Sequence, residues 1–371
     1  MTEDKTNSLI HRPGSGLTGS VRGSNPILKR MTQDVLARAQ DNQMSHARFR
    51  IGDYLLRQPD YRQIVYWADE LNMTPEALLA VLAETLLEPD DCNFEPVSFS
   101  MADGAIVSLA WDLERLGNIP ADWEPGLLIR TLGFFGEVSD AHILIRPILS
   151  KLKALICYVV GPFFSEESNL LVDLSGVTGL IELHCIGHPI IKIDLSPVSE
   201  LTKLECSVNY HNEIDLSLVP KLKELVCMYN ELTDLDLSSV QGLIKLQCAG
   251  NHLKNLNLST LTELRELDLW NNQLTKLDLS NVSGLTELCC GVNSLTQLDL
   301  SPVPGLVWLC CKENQLTELD LSLTPRLTKL YCGRNKLTQL DLSPVPALVE
   351  LGCDKDVLLL NAPHNLLVSH W

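Results

Sequence analysis

The sequence has few of the features that mark an enzyme, a membrane protein or a nucleic-acid-binding protein. It contains no CxxC pair, no glycine-rich phosphate loop and no run of about 18 apolar residues. Basic residues are also scarce, since 29 Lys and Arg stand against 47 Asp and Glu, giving a net charge of −18. An acidic chain repels phosphate backbones and favours basic partners. We therefore expect a protein partner, with no enzymatic activity, cofactor, metal, nucleic acid or membrane span.

A repeat dominates the chain. The phrase Asp-Leu-Ser recurs from Asp173 onward at a spacing of 21 residues, and Asn257 is the only departure from Asp among its nine copies. The full unit, LxxLxCxxNxLTxLDLSxVxx, is clearest from Leu285 to Gly305. A fixed period of this length predicts a solenoid, in which each turn buries its apolar face against its neighbours. Within the unit, LxxLxC predicts a short strand with positions four and six inward and positions three, five and seven on the concave face.

Most of the 12 cysteines occupy one inward position of the repeat, and Leu269 takes that position in the single unit without Cys. This exchange indicates that the sulfur serves as a small hydrophobe. A single file of thiols does not make a tetrahedral zinc site. We expect free thiols and hence a reducing, cytoplasmic compartment. The inward cysteines are Cys185, Cys206, Cys227, Cys248, Cys290, Cys311, Cys332 and Cys353.

Two polar columns follow the strand in each unit. The Asn of the turn is predicted to bond backbone groups of its own and adjacent turns. The segment LTxLDLS echoes LxxLxC, which predicts a second extended segment on the convex side and an outward file of Asp residues. Each Asp needs a donor such as a backbone N–H or the Ser two residues on. A calcium-binding file is the alternative, but one carboxylate per turn falls short of the oxygen ligands that Ca²⁺ prefers.

The N-terminal part differs in composition from the array. Residues 1–25 are polar and mildly basic, which predicts a disordered leader or a leaderless secretion signal. Residues 26–100 predict a helical bundle and N-terminal cap, with helices from Pro26, over Ser45 to Arg57 and over Asp60 to Leu71, and a fourth capped by Thr74. The segment Trp67 to Leu82 also fits a helix-turn-helix. The absence of Lys and Arg from residues 74–88 argues against a DNA-reading helix.

The repeat pattern can be followed beyond its regular part. Counting backward, Leu155, Leu132 and Leu109 continue the strand positions, so residues 101–358 predict the solenoid, with divergent turns over 101–173 and regular ones from 174. Trp111 and Phe134 fall at the inward position near the start of the array, which suits a covered end. The frame is lost at residues 362–364, and residues 359–371 predict an irregular C-terminal cap.

The unit resembles bacterial leucine-rich repeats, specifically the nested 21-residue class called IRREKO, over residues 180–358. This resemblance implies an arc-shaped solenoid with a binding role and without catalysis. The predicted fold class is therefore α+β: a leucine-rich-repeat β-solenoid of about 12 turns with a small N-terminal helical cap domain. The resemblance does not identify a binding partner.

Residues that differ between turns are the candidates for partner recognition. Exposed Trp and Tyr are typical interface anchors, and one group falls in four consecutive turns, which predicts a contiguous exposed patch on the concave face. Three hypotheses stay open: a protein-binding effector or adaptor, an acidic inhibitor or immunity protein that blocks a basic enzyme, and a DNA-binding regulator. The oligomeric state is left open. The candidate residues are Trp270, Cys289, Trp308, Cys310 and Tyr331, with Met228 and Lys312 beside them.

Overall fold

The computed structural model describes residues 48–87, 97–102, 105–116, 127, 129–137, 142–145, 149, 151–160, 169–187, 193–209 and 211–370. The predicted leader and the helix predicted from Pro26 lie outside the described residues. Two helices exceed one turn, α1 (Gln58–Glu70) and α2 (Pro75–Glu84), and α3 (Leu113–Leu116) is short.

The described part of the chain forms 22 short strands. In chain order they are β1 (Arg48–Ile51), β2 (Tyr54–Arg57), β3 (Leu86–Leu87), β4 (Val97–Ser98), β5 (Ser100–Ala102), β6 (Ala105–Asp112), β7 (Thr131–Glu137), β8 (His142–Ile145), β9 (Ala154–Val160), β10 (Asn169–Val172), β11 (Glu182–Ile186), β12 (Lys203–Glu205), β13 (Glu224–Val226), β14 (Lys245–Gln247), β15 (Glu266–Asp268), β16 (Glu287–Cys289), β17 (Trp308–Cys310), β18 (Lys329–Tyr331), β19 (Gln339–Asp341), β20 (Glu350–Cys353), β21 (Leu358–Leu360) and β22 (Leu367–His370).

The segment before α1 is a β-hairpin. Strands β1 and β2 pair antiparallel, so the helix predicted from Ser45 to Arg57 is wrong over the described residues 48–57. Two local features explain the outcome. Burial alternates along β1, with Phe49 and Ile51 covered and the two arginines exposed, and Gly52 adopts φ +54° at the turn, a conformation that glycine takes without steric cost.

Helices α1 and α2 pack against the start of the main sheet. The Thr74 hydroxyl accepts a hydrogen bond from the Ala77 N–H at 3.1 Å, which confirms the predicted cap of α2. From α1, the Trp67 ring meets the Trp111 ring edge to face with centroids 5.3 Å apart. The buried Asp60 carboxylate accepts the Ile106 N–H at 2.9 Å. One apolar and one polar contact thus join the helical part to β6.

The main sheet has 14 strands and is parallel except where β5 pairs with β6. Each regular strand pairs with the strand 21 residues away, as Leu246 with Leu267, so the sequence period sets the register. The described residues form a solenoid of about ten turns. Upstream, β9, β7 and β6 continue in the same sheet, with Leu155, Leu132 and Leu109 in register, as the backward count predicts.

The solenoid core is one continuous cluster of inward Leu, Val and Cys side chains. Two successive tight turns close each unit, as where the Val240 N–H donates to the Leu237 carbonyl and the Leu243 N–H to the Val240 carbonyl. The inward cysteines are buried, Cys227 and Cys248 completely. Burial raises the pKa of both thiols, so they stay protonated at neutral pH and pack as apolar groups.

The convex side departs from the prediction of a second extended segment in every turn. Among the described residues, ladders form there only between β8 and β10 and between β19 and β21. In the turns between, a single bond joins neighbours, as where the His252 N–H donates to the Leu232 carbonyl at 2.9 Å.

The C-terminal segment is regular, and the predicted irregular cap is wrong over residues 367–370. Strand β22 pairs parallel with β20 in the main sheet, and Leu367 lies opposite Glu350. The backbone N–H and C=O groups of β22 form hydrogen bonds with those of β20. This pairing needs only an extended backbone and does not require the repeat sequence to continue. No helix among the described residues has the length and apolar character needed to cross a membrane.

Candidate partner-binding surface

The Asn column fastens each turn to the preceding one. The Asn251 amide donates to the carbonyls of Cys227 at 2.9 Å and Cys248 at 3.1 Å, and its oxygen accepts the Leu232 N–H at 3.1 Å. The same inter-turn donation is made by every Asn of the column, which confirms the predicted structural role. The column contains Asn209, Asn230, Asn251, Asn272, Asn293, Asn314 and Asn335.

The Asp column is also structural. Asp236 Oδ1 accepts the Ser238 N–H at 2.9 Å, and the same bond recurs in each of the nine turns. Asn257 makes it with its side-chain oxygen at 3.0 Å, so the turn needs an acceptor and not a charge. The described residues hold no group of three or more His, Cys, Asp or Glu side chains arranged for a metal ion.

On the concave face, position three alternates in charge and forms cross-strand ion pairs. Three such pairs join Lys203 to Glu224 at 3.8 Å, Lys245 to Glu266 at 3.1 Å and Lys329 to Glu350 at 3.4 Å. Opposite charges on adjacent strands of the column thus stabilise each other. Most charges of the column are therefore satisfied within the protein.

The structure places the candidate residues on neighbouring strands but does not expose all of them. Cys289 and Cys310 are opposite each other in β16 and β17, and each is only 6% exposed. The prediction that they belong to an exposed patch is wrong. These short side chains lie in the middle column, where Asp268 and Tyr331 flank them in register with longer side chains.

The two thiols interact. A hydrogen bond with Cys289, together with the Lys312 backbone N–H and ammonium, outweighs burial and lowers the pKa of Cys310 to about 7. The same bond and burial raise the pKa of Cys289. Of the two thiols, Cys310 is the one whose ionisation is favoured, with the Cys289 S–H as its donor.

Trp270 has a charged partner within the chain. The Lys312 Nζ lies 4.7 Å from the centroid of the Trp270 ring, two strands away. Gly291 occupies the strand between them, and a Cβ there would come within 3.3 Å of the Lys312 Cγ. The lysine reaches the ring across this glycine. Sequence reasoning missed this contact, although position seven spells Trp, Gly and Lys in consecutive turns.

Tyr331 is engaged as well, whereas Trp308 is not. The Tyr331 hydroxyl donates to a Glu350 carboxylate oxygen, and this bond raises the pKa of Tyr331 to about 12. Trp308 is partly exposed, and the described residues place no cation or second aromatic ring against it. Met228 is half-buried in the same column as Trp270, two strands earlier.

His184 lies in β11, at the start of the regular array. It is fully buried, and its Nδ1 lies 2.9 Å from a carboxylate oxygen of Glu205, which is 2% exposed. Burial opposes protonation, but hydrogen bonds with Glu182 and Glu205 prevail and raise the pKa of His184. A buried ion pair thus lies at the N-terminal end of the concave face, away from the aromatic residues.

Comparison with known proteins finds similar folds among solved structures. No family model and no curated protein matches the chain. Among solved structures, the functional domain of InlJ from Listeria monocytogenes, described as including a cysteine ladder, is 32% identical, with a TM-score of 0.51 over 55% of this chain. The match spans only 49% of the InlJ domain.

Two further bacterial structures match over more of the chain. The internalin InlF from Listeria monocytogenes has a TM-score of 0.53 and 18% identity over 73% of this chain and 91% of its own. YopM, a leucine-rich effector from Yersinia pestis, has a TM-score of 0.53 and 21% identity over 70% of this chain and 82% of its own. At these identities the similarity shows the fold alone, a leucine-rich-repeat solenoid.

Proposed function

We propose that the chain is a non-enzymatic protein-binding module whose concave face holds a protein partner. The observation that carries the proposal is Trp308, a large aromatic residue that is partly exposed on a regular strand and has no partner ring or cation among the described residues. Aromatic residues in such positions supply much of the energy of protein interfaces. Its neighbours Trp270 and Tyr331 are held by Lys312 and Glu350 and define the borders of the surface.

The scaffold favours binding because it is fixed in advance. The Asn column and the Asp turns bond every regular unit to itself and to the next, so the strands lose little conformational freedom when a partner arrives. An effector or adaptor role, with delivery into another cell through the polar leader, is the broader form of the same hypothesis.

The acidic inhibitor or immunity protein remains the second candidate. The net charge of −18 favours it, because such a surface accelerates encounter with a basic enzyme. Affinity in that case falls steeply when salt is raised from about 0.05 to 0.5 M, since screening shortens the reach of surface charges. A partner held mainly through apolar contacts with Trp308 shows a shallow salt dependence.

The finer assignments of the fold are also proposals. We propose that β6, β7 and β9 are three divergent turns, which with the nine regular ones make twelve, and that the array is of the nested IRREKO class. We further propose that α1 and α2 form the N-terminal cap. The in-register pairing of β6 with β7 and the contact of Trp67 with Trp111 support both ideas.

Affinity capture with the intact chain tests the binding role. The comparison uses wild type, Trp308→Ala and, as a matched control, Tyr229→Ala, which removes a more exposed aromatic ring outside the concave columns. We expect a protein retained by wild type and by the control but lost from Trp308→Ala. Equal retention by all three folded proteins would contradict binding through this face.

A further inference from the structure

In the position-three column of the concave face, the Glu287 carboxylate has no ion-pair partner among the described residues. Position three alternates between Glu and Lys along the array until Glu287 follows Glu266. Lys245 pairs with Glu266 at 3.1 Å, and the described residues offer no ion pair to Glu287. Glu287 is exposed, so its charge faces solvent on the surface where a partner is proposed to bind.

Glu287 lies directly beside Trp308. The two residues are opposite each other in β16 and β17, adjacent parallel strands about 4.8 Å apart. On the far side of Trp308 the next residue of the column is Lys329, and its ammonium is directed to Glu350 at 3.4 Å. The nearest lysine of the column is therefore committed elsewhere, and Glu287 and Trp308 form an acidic and aromatic pair without a cation of their own.

The chain itself shows how a cation uses this surface. Two columns away, the ammonium of Lys312 lies 4.7 Å from the centroid of Trp270. A cation over an indole ring gains electrostatic attraction, and the gain increases when water is excluded. The cation over Trp270 is a lysine of the same chain, whereas the described residues place no cation over Trp308.

We infer that Glu287 and Trp308 form a subsite for an arginine side chain of the protein partner. This inference rests on the proposed function, because it assigns the chemistry of the residue that the concave face receives. A guanidinium suits the pair better than an ammonium. Its flat face stacks on the indole while its N–H groups bond the Glu287 carboxylate, and it is more weakly hydrated than the lysine ammonium.

The charge of the chain as a whole does not explain such a subsite. An acidic surface attracts any basic peptide, so the test must separate one carboxylate from the general field. Glu318 offers the matched control, because it is exposed in the LTxLD segment outside the concave strands, and Glu318→Gln changes the net charge by the same amount as Glu287→Gln. Both replacements are at exposed positions and leave the core untouched.

The experiment starts from a random 12-residue peptide library displayed on phage and selected against the intact protein. Selected peptides are synthesised with a fluorophore, and their affinities are measured by anisotropy for wild type, Glu287→Gln, Trp308→Ala and Glu318→Gln. Each arginine in a peptide is also replaced by citrulline, which keeps the shape and removes the charge. Circular dichroism confirms that the variants are folded.

We expect one arginine whose change to citrulline weakens binding to wild type at least tenfold. The same change should weaken binding to Glu287→Gln only about two- to fivefold, because the attraction between the cation and the Trp308 ring remains there. Trp308→Ala should weaken the parent peptide at least tenfold, and Glu318→Gln less than twofold. Peptides that need Trp308 but tolerate both citrulline and Glu287→Gln would overturn the arginine subsite and leave the binding role intact. Equal losses with Glu287→Gln and Glu318→Gln would also overturn it. If no selected peptide distinguishes Trp308→Ala from wild type, the subsite and the proposed concave surface both fail.

Discussion

Replacement of Asn251 by Ala tests whether the Asn column holds the solenoid together. Asn251 is 3% exposed and lies in the middle of the regular array, so water does not readily replace its bonds. Its side chain makes contacts with four backbone groups, the N–H of Leu232 and the carbonyls of Cys227, Cys248 and Ala249. These groups do not lose equally when the amide is removed.

The three carbonyls each keep another donor. The Tyr229 N–H donates to the Ala249 carbonyl at 2.8 Å. Asn230 donates to the Cys227 carbonyl at 3.2 Å, and Asn272 donates to the Cys248 carbonyl at 3.0 Å. The Leu232 N–H has Asn251 as its acceptor, and truncation orphans it. An orphaned buried donor costs about 1–3 kcal/mol, and the weakened bonding at the carbonyls adds about 1 kcal/mol. We expect Asn251→Ala to lower the free energy of unfolding by about 2–4 kcal/mol.

Urea unfolding followed by tryptophan fluorescence and by circular dichroism measures the total effect. Repeat arrays need not unfold in one step, so coincidence of the two transitions must be checked first. Hydrogen exchange gives the local readout, since the Leu232 amide should lose protection in the variant more than amides several turns away.

The control is Asp236→Asn in the neighbouring column. Because Asn257 already makes the equivalent bond with Ser259 at 3.0 Å, this substitution should change stability by less than about 0.5 kcal/mol. An Asn251→Ala variant that is folded and no less stable than Asp236→Asn would refute the assignment of the Asn column as the bond between turns.

Three further predictions follow from other positions. Asn271 is exposed with φ +53°, so Asn271→Val should lower the free energy of unfolding by about 1–2 kcal/mol while Asn271→Gly stays near neutral, as urea unfolding can show. Alkylation of Cys310, followed by peptide mass spectrometry, should rise with a midpoint near pH 7, and Lys312→Gln should move the midpoint upward; an unchanged midpoint would contradict the contribution of the lysine. Because the pKa of His184 is raised by its bonds with Glu182 and Glu205, its stabilisation is complete below about pH 6.5 and is lost as pH rises through the folded-state value; the stability of His184→Gln should lack this decline.

The parts of the fold that repetition encodes could be predicted from the sequence. The 21-residue period determines the strand register, and the same period locates the Asn bonds and the Asp turns. Substitutions inside the array served as internal controls. Leu269 marked the inward column as apolar, and Asn257 showed that the Asp position needs only an acceptor.

The parts that escaped prediction depend on single residues or on the reach of side chains. The hairpin of β1 and β2 has a local signal, Gly52 and Asp53 between alternating residues, which a helix over Ser45 to Arg57 ignores. The contact of Lys312 with Trp270 depends on the missing side chain at Gly291, which lies in the turn between them. The consensus of a single repeat cannot predict a contact that spans three turns. The burial of Cys289 likewise depends on the longer side chains in adjacent turns.

The Asn column has a direction. Every member donates its amide hydrogen to a carbonyl 24 residues earlier, and none needs a turn that comes later for that bond. During synthesis the N-terminal turns leave the ribosome first, so each newly emerged unit finds its acceptor already in place. The array is therefore suited to vectorial growth, one unit at a time. Loss of a C-terminal unit leaves this donation intact in every remaining turn, whereas loss of an N-terminal unit removes the acceptor of the first Asn that remains.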